Sequence, residues 1–274
     1  MIDIHNHVIY KFDDGPKSLE ESLEMLKMAS DQGITDIFAS SHFNEVIPQE
    51  VETQYFEKLS ILQNEASNIN LPINIHSGSE LFYHFFLNKT IKQHKVCTFA
   101  NLGKYILVEF SLFIMPTGVE DTIFKLSMNE IIPIIAHPER YPTILEQYEK
   151  AYDYLRFGAL FQVNAGSVLG DFGKEVQKLS MWMLKKKLVH FLGSDAHTTK
   201  GKRIFKLKEA VDMLKDILDE EYIQNLTVKN PRKILDSEKI DKSEISEPGN
   251  DQDNSILDKI KKTFGISKKT SFVY

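Results

Sequence analysis

The sequence predicts an α/β protein whose parallel strands form a barrel, and three observations support this fold class. Short apolar runs alternate with longer helical patterns, which is typical of parallel strands joined by helical crossovers. Seven such runs are present, more than most small doubly wound sheets contain. Six of them lead directly into a residue able to bind metal, as expected where strand ends converge on one face of a barrel. The predicted strands cover residues 1–7, 34–40, 73–77, 105–110, 131–136, 159–163 and 189–193.

The helices between these strands are predicted from capping residues and apolar spacing. Ser18 is an N-cap candidate, and Glu21, three residues later, completes a capping box. Apolar residues follow at helical spacing, and Gly33 is a candidate stop. Further helices are predicted over residues 49–68, 120–129, 146–157 and 174–187. A last amphipathic helix is marked by Leu207, Ala210, Val211, Leu214 and Leu218.

The composition changes after about Leu235, which divides the chain into a domain and a tail. Residues 1–235 are predicted to form one domain. Residues 236–255 are polar and lack periodicity, so they are expected to form a flexible linker. Residues 256–274 contain a short amphipathic segment, marked by Ile256, Leu257, Ile260 and Phe264.

Composition excludes several classes of protein. The net charge of −6 and the lack of a basic stripe argue against a dedicated nucleic-acid binder. A single cysteine, Cys97, excludes an internal disulfide framework and favours a reducing compartment. No apolar stretch is long enough to span a bilayer, and the opening MIDIH does not resemble a signal peptide. We therefore expect a cytoplasmic protein.

Histidines and carboxylates occur where the predicted strands end. Because the carboxyl ends of parallel strands meet on one face of a barrel, these side chains are expected to lie close together. The first loop adds one more carboxylate. The candidate metal ligands are His5, His7, Asp14, His42, Glu80, Glu109, His137, Asp195 and His197.

The spacing and chemistry of these residues predict a metal site. Residues two apart on a strand point to the same side, so His5 and His7 can bind one ion together, as can Asp195 and His197. The set mixes imidazole with carboxylate and contains no thiolate, which favours Mn²⁺, Fe²⁺, Zn²⁺ or Mg²⁺. Nine ligands exceed the needs of one ion and suit two or three. Taken singly, each residue also has an ordinary interpretation as a loop histidine or a solvated carboxylate.

The motifs MIDIHNH, FDDG, SSH, AHPER and GSDAH, together with the two glutamates, resemble the PHP (polymerase and histidinol phosphatase) superfamily. Within it, the chain is most similar to the manganese-dependent protein-tyrosine phosphatases of bacterial capsular and exopolysaccharide synthesis. The resemblance extends from Met1 to about Leu235. The HPER motif at 137–140, the DDG motif at 13–15 and the NAGS motif at 164–167 are typical of that branch.

The resemblance implies a distorted seven-stranded barrel that holds three ions, most commonly Mn²⁺. It assigns His5, His7, Glu80 and Asp195 to the first ion, Glu80, Glu109 and His137 to the second, and Asp14, His42 and His197 to the third. Hydrolysis would use a metal-bound hydroxide, since metal binding lowers the pKa of water to about 7.

The resemblance also assigns residues to the substrate. Arg140 matches the phosphate-binding arginine of the family. A second arginine is expected after the last motif, where Arg203 is nearest and Lys202 occupies the expected place. Asp14 and His197 are candidates to assist the leaving group. The implied substrate is a phosphotyrosine protein, the tail of a bacterial tyrosine kinase.

Two alternatives stay open at this point. A small-molecule phosphatase of the same superfamily, such as one acting on histidinol phosphate, would share the metal ligands. A metal-binding scaffold without activity would bind partners through its tail. The sequence departs from the family pattern at residues 10–12, which replace a Pro-Gly pair, and at Phe43, which replaces a second histidine.

Overall fold

The computed structural model describes residues 1–240, so the predicted amphipathic segment and the predicted linker from residue 241 onward lie outside the described residues. Every pair of neighbouring strands is parallel, which confirms the predicted α/β class. One sheet has the order β1-β2-β4 and the other β3-β5-β6-β7-β8-β9. The strands are β1 (Ile2–Asn6), β2 (Asp36–Ala39), β3 (His42–Phe43), β4 (Asn74–Ser77), β5 (Glu80–Phe82), β6 (Tyr105–Glu109), β7 (Ile132–Ala136), β8 (Leu160–Asn164) and β9 (Phe191–Gly193).

Two strand positions are interrupted halfway along. Only two residues separate β2 from β3, and only two separate β4 from β5. The hydroxyl group of Tyr55 joins the two interruptions, since it donates a hydrogen bond to the carbonyl of Ala39 (2.7 Å) and accepts one from the N–H of Gly78 (3.0 Å). The segments before the interruptions, β2 and β4, belong to the three-stranded sheet. The segments after them, β3 and β5, belong to the six-stranded sheet.

The two sheets also meet where β1 approaches the segment after β9. Asn6 and Ala196 form a parallel bridge, and the N–H of His7 donates to the carbonyl of Ala196 at 2.8 Å. The buried carboxylate of Asp3 accepts hydrogen bonds from the N–H of Ser194 (3.0 Å) and from its hydroxyl (2.6 Å). These contacts hold the first strand against the last.

Helices connect the strands along the described chain, and no helix there is long and apolar enough to cross a membrane. A π-helical turn at Asn225–Lys229 joins the last two, and a 3-10 turn at Pro138–Arg140 follows β7. The α-helices are α1 (Leu19–Asp31), α2 (Gln49–Asn68), α3 (Leu87–Gln93), α4 (Val119–Met128), α5 (Pro142–Glu146), α6 (Lys150–Arg156), α7 (Ala165–Leu169), α8 (Lys174–Lys185), α9 (Leu207–Leu214), α10 (Glu220–Gln224) and α11 (Asn230–Leu235).

Strand alternation separates two apolar clusters. The larger cluster packs the helices against one face of the strands. The smaller cluster takes the opposite face of β1, β2, β6, β7, β8 and β9 and includes Leu107, Ile134 and Phe191. Glu109 stands two residues beyond Leu107 and therefore continues the same face at the carboxyl end of β6. On this face, polar side chains at the carboxyl ends of the strands therefore follow directly on the smaller apolar cluster.

Each of the seven predicted strands overlaps an observed strand, whereas β3 and β5 were not predicted. The predicted helix over 146–157 is wrong at its start: α5 begins at Pro142, a favoured first helical residue, and α6 begins separately at Lys150. The side chain of Ser18 caps α1 as predicted. Glu21 accepts from the N–H of Lys17 (2.7 Å), one residue before the expected capping-box partner.

The packed part of the chain continues past Leu235. The hydroxyl of Tyr105 donates to the carbonyl of Glu238 at 2.6 Å and accepts from the N–H of Ile240 at 3.2 Å. The side chain of Ile240 is buried in the smaller apolar cluster. Residues 236–240, which are part of the predicted linker, therefore pack against the amino-terminal end of β6.

Candidate metal centre

The nine predicted ligands come together at the carboxyl ends of the strands. His5 lies in β1 and His7 directly follows it, while His42 and Glu80 begin β3 and β5. The others stand at or just after the ends of β6, β7 and β9, and one lies in the loop before α1; they are Glu109, His137, Asp195, His197 and Asp14. Side chains that are up to 192 positions apart in the sequence thus form one cluster (His5 to His197).

Glu80 is the central residue of this cluster. Its side chain is 1% exposed. The Oε2 atom lies 3.2 Å from Nε2 of His5, 3.3 Å from Nε2 of His7 and 3.1 Å from Nδ1 of His42. The Oε1 atom lies 3.2 Å from Nε2 of His137. One carboxylate therefore faces four imidazole rings and is suited to bridge ions.

Glu109 and Asp195 flank Glu80 on opposite sides. The carboxylate oxygens of Glu109 lie 3.5 Å from Nε2 of His137 and 3.7 Å from Nδ1 of His42. Oδ1 of Asp195 lies 3.6 Å from Nε2 of His5 and 3.7 Å from Nε2 of His7.

Asp14 and His197 form the outer part of the cluster. Oδ1 of Asp14 lies 3.2 Å from Nε2 of His197 and 3.5 Å from Nε2 of His42. Asp14 is 53% exposed and His42 is 33% exposed, whereas His197 is buried. The cluster therefore opens to solvent on the side of Asp14.

The donor geometry fits divalent ions. Most of these nitrogen–oxygen distances lie between 3.1 and 3.7 Å. Two ligand atoms that share an ion at about 2.1 Å stand about 3.0–3.4 Å apart. Three overlapping sets have ligand atoms that all lie within 4.8 Å of one another: His7, Asp14, His42 and His197; His5, His7 and Glu80; and His42, Glu80 and Glu109.

Charge balance in the cluster is consistent with this fit. Burial opposes ionisation of Glu80, but the surrounding histidines hold the pKa of its carboxyl well below the usual range. Burial would also lower the pKa of His7, yet the carboxylates of Asp13 and Glu80 raise it to about 10. In the same way, Glu109 and Glu80 raise the pKa of His137 to about 9 against burial. Buried carboxylates thus require positive charge, which protons or divalent ions can provide.

Asp13, which is not among the predicted site residues, organises two of the histidines. Its Oδ2 atom accepts hydrogen bonds from Nδ1 of His7 (2.8 Å) and from the backbone N–H of His42 (3.0 Å). Oδ1 accepts from the N–H of Gly15 at 2.9 Å. These contacts leave Nε2 of His7 free to face Glu80. Asp13 is the first aspartate of the DDG motif, whereas the predicted metal ligand is the second, Asp14.

A second missed group links two ligands through buried amides. Oε1 of Gln162 lies 2.7 Å from Nδ1 of His5, and its Nε2 donates to Oδ1 of Asn164 at 2.8 Å. Nδ2 of Asn164 donates to Oδ2 of Asp195 at 2.8 Å. Gly193 leaves room for this chain, because a Cβ atom there would lie 2.7 Å from Nε2 of Gln162. Asn164 is the first residue of the NAGS motif, but no pattern in β8 indicated the contacts of these amides with His5 and Asp195, which are distant in the sequence.

Two arginines approach the cluster from either side of Asp195. Nη1 of Arg140 lies 3.3 Å from Oδ2 of Asp195. Nη2 of Arg203 lies 3.3 Å from Oδ1 and also contacts Nε2 of His197, while its Nη1 lies 2.9 Å from Oδ2 of Asp14. Lys202 instead donates to the carbonyl of Asp171 at 3.1 Å. Of the two basic residues that follow the last motif, Arg203 and not Lys202 therefore contacts the cluster.

Two histidines outside the cluster pair with other carboxylates, and the cysteine is buried. Nε2 of His76 lies 3.0 Å from Oδ1 of Asp36, and Nδ1 of His94 lies 3.0 Å from Oε2 of Glu52. Burial raises the pKa of the Cys97 thiol to about 12, which keeps it neutral. A cysteine nucleophile requires a thiolate, so Cys97 does not suit that role.

The fold and the cluster together define a class of α/β proteins that carry residues able to bind metal at the carboxyl ends of parallel strands. Residues 1–236 match the family described as capsular polysaccharide synthesis, CpsB/CapC. The chain belongs to this family.

Curated relatives support this membership over most of the chain. The CapC protein of Staphylococcus aureus is 35% identical, and the alignment covers 88% of this chain and 94% of the CapC sequence. The tyrosine-protein phosphatase CpsB of Streptococcus agalactiae is 31% identical, with 86% and 98% covered. The tyrosine-protein phosphatase YwqE of Bacillus subtilis is 32% identical, with 78% and 84% covered.

Solved structures give the same result. A structure from the work on YwqE of Bacillus subtilis and CpsB of Streptococcus pneumoniae, described as metal-dependent tyrosine phosphatases, has a TM-score of 0.80 at 30% identity. It covers 88% of this chain and 96% of its own. An amidohydrolase from Mycoplasma synoviae has a TM-score of 0.56 at 16% identity, which indicates a shared fold.

Proposed function

We propose that this protein is a metal-dependent protein-tyrosine phosphatase that hydrolyses phosphotyrosine in a partner protein. The observation that carries the proposal is the cluster of nine imidazole and carboxylate ligands with two arginines beside it. Family membership supports it, because relatives that cover most of the chain are tyrosine-protein phosphatases. The activity belongs to the class of metal-assisted phosphoester hydrolysis.

The proposed ligand sets follow the geometry around Glu80. His5, His7, Glu80 and Asp195 would hold one ion, and Glu80, Glu109 and His137 a second, with Glu80 shared. Asp14, His42 and His197 would hold a third at the exposed edge, where His7 also lies within reach. A set of nitrogen and oxygen donors suits Mn²⁺, with Fe²⁺, Zn²⁺ and Mg²⁺ as alternatives.

Bound ions would supply Lewis-acid charge and lower the pKa of water at the site to about 7. Arg140 and Arg203 would bind the phosphoryl oxygens. Both guanidinium groups contact Asp195 and so stand beside the proposed ions, and each planar group can hold two oxygens. Both arginines would also stabilise the charge that develops during transfer.

The leaving tyrosine needs little acid catalysis, since a phenol has a pKa of about 10. Asp14 and His197 lie at the exposed edge of the cluster, where Oδ1 of Asp14 is 3.2 Å from Nε2 of His197. We assign these two residues to help the leaving group as well as to hold the outer ion.

The strand arrangement supports a distorted barrel with seven positions. Treating β2 with β3, and β4 with β5, as single interrupted strands reduces the nine strands to seven positions. The bridge between Asn6 and Ala196 would then close the ring.

The family resemblance extends the proposal to the partner, and the composition extends it to the compartment. We assign the substrate to the phosphotyrosine-bearing tail of a bacterial tyrosine kinase in capsule or exopolysaccharide synthesis. Cys97 is free and buried, and the net charge is −6, which suits a cytoplasmic enzyme that does not bind nucleic acid.

The deciding experiment compares hydrolysis of a phosphotyrosyl peptide and of histidinol phosphate, with added Mn²⁺ and then with chelator. We expect metal-dependent release of phosphate from the peptide. Preference for histidinol phosphate would overturn the substrate class, and metal binding without turnover of either compound would favour a scaffold.

Variants test the assignment of residues. His137→Ala and Asp195→Ala should abolish turnover, whereas His76→Ala, a histidine paired with Asp36 outside the cluster, should retain it. Wild-type rates in the first two variants would contradict the proposed centre.

A further inference from the structure

The guanidinium of Arg140 is held on one side by an aromatic ring. Its central carbon lies 4.6 Å from the centroid of the Phe172 ring. On the other side, Nη1 lies 3.3 Å from Oδ2 of Asp195. Arg140 is 20% exposed, so the ring shields part of the cation from water. A cation over an aromatic face is attracted by the ring's quadrupole, and partial desolvation strengthens that attraction.

The loop that carries Phe172 is short and internally hydrogen-bonded. It joins α7 to α8 and turns at two glycines of positive φ, Gly170 (φ 88°) and Gly173 (φ 99°). The N–H of Asp171 donates to the carbonyl of Gly166 at 2.9 Å, and the N–H of Gly173 donates to that of Gly170 at 3.1 Å. These hydrogen bonds fix the backbone of the loop, and with it the position from which the side chain of Phe172 extends.

Gly166, the glycine of the NAGS motif, makes room for this ring. A Cβ atom at position 166 would lie 3.0 Å from Cε2 of Phe172 and 3.3 Å from Oδ2 of Asp171. Any side chain there would displace the ring or the carboxylate. The glycine of the motif is thus accounted for by the close approach of Phe172.

Asp171 connects the same loop to the segment that carries Arg203. Its Oδ2 atom lies 2.8 Å from Nζ of Lys206, and both side chains are less than one-fifth exposed. Its carbonyl also accepts a hydrogen bond from Nζ of Lys202 at 3.1 Å. One loop therefore contacts Arg140 directly and is tied to the chain on either side of Arg203.

We propose that Phe172 is a positioning residue, which holds the guanidinium plane of Arg140 in the orientation needed to bind a phosphoryl group. This inference rests on the proposed function, since it assigns phosphate binding to Arg140. The central carbon of the guanidinium lies over the ring of Phe172, while Nη1 contacts the carboxylate of Asp195. Phe172 touches neither the substrate nor an ion in this role.

The test measures the dissociation constant of inorganic phosphate for the Mn²⁺-loaded full-length protein by calorimetry, which does not depend on turnover, and beside it the inhibition constant of phosphate in phosphotyrosyl-peptide hydrolysis. Phe172→Leu should raise the inhibition constant of phosphate and the KM by about 2- to 30-fold, the range of a cation–π contact. Phe172→Tyr should restore wild-type values. Mono-, di- and trifluorophenylalanine at position 172 should weaken phosphate binding in that order, because fluorine withdraws charge from the ring face.

The matched control is Phe124→Leu, an exposed phenylalanine on α4, which should leave phosphate binding unchanged. Equal phosphate binding across the fluorinated series would overturn the inference, because packing alone is insensitive to ring charge. Loss of peptide hydrolysis in the wild-type protein would instead contradict the proposed function, so the two failures are distinguishable.

Discussion

The carboxylate of Asp13 offers the sharpest test of how the centre is organised. It accepts three hydrogen bonds, from the ring of His7 and from the N–H groups of His42 and Gly15. In Asp13→Asn, one oxygen becomes an NH₂ group. If it replaces Oδ2, it faces the donors of His7 and His42; if it replaces Oδ1, it faces the N–H of Gly15. Either orientation loses at least one contact, together with the negative charge beside His7.

The expected loss is about 10- to 100-fold in metal affinity, the usual effect of removing a partner that orients a ligand. This corresponds to about 1.4–2.8 kcal/mol of binding free energy. The assay is titration of the metal-free protein with Mn²⁺, followed by calorimetry or by competition with a chelator of known affinity. Turnover should recover largely at saturating Mn²⁺, because the ligands themselves remain.

The control for this variant is Asp121→Asn, which removes an exposed carboxylate on α4 paired with Lys125. Unchanged Mn²⁺ affinity in Asp13→Asn would refute the reasoning. It would mean that His7 and His42 are held by their strands alone.

Other residues yield further expectations. Arg203→Ala should lower kcat/KM by about 10²-fold or more, as removal of a charge-stabilising donor does, while Lys202→Ala should have a much smaller effect on steady-state hydrolysis. Gly193→Ala should destabilise the fold by about 1–3 kcal/mol, because the added Cβ meets Nε2 of Gln162 at 2.7 Å; denaturant unfolding measures this. Burial opposes ionisation of Asp36, but hydrogen bonds from a histidine, a threonine and an asparagine lower its pKa. Its stabilising effect is therefore complete above the unfolded value of about 3.9 and is lost as pH falls through the lower folded value. Asp36→Asn should thus be destabilising at pH 7, and urea midpoints of the two proteins should converge in acid.

The sequence allowed the clustering of these side chains to be predicted because eight of the nine candidate ligands lie at the end of a predicted strand, where position and residue type agree. His42, Glu80 and His137 were all found in this way. The strands β3 and β5 were not predicted, because two or three residues are too few to show alternation.

The residues that hold the ligands in place were harder to find. Asp13, Gln162 and Asn164 act through contacts between elements far apart in the chain. Phe172 likewise meets Arg140 only because two loops converge. Asp13 and Asn164 belong to motifs noted in the sequence, but the side chains that these four residues contact follow from no periodicity or spacing, so tertiary contacts are needed to identify their roles.

The interruption between β2 and β3 has a consequence for the exchange of ions. Beyond the break, β3 pairs with β5 and not with β1, so the rim between His7 and His42 is closed by the side chain of Asp13. Two residues of the proposed outer set, His42 and Asp14, are 33% and 53% exposed, whereas Glu80 is 1% exposed. An ion held by the outer ligands would exchange quickly, and the ions around Glu80 slowly. Stopped-flow chelation should therefore remove metal in at least two phases, the fast one associated with Asp14; a single phase would indicate that all the ions share one exit.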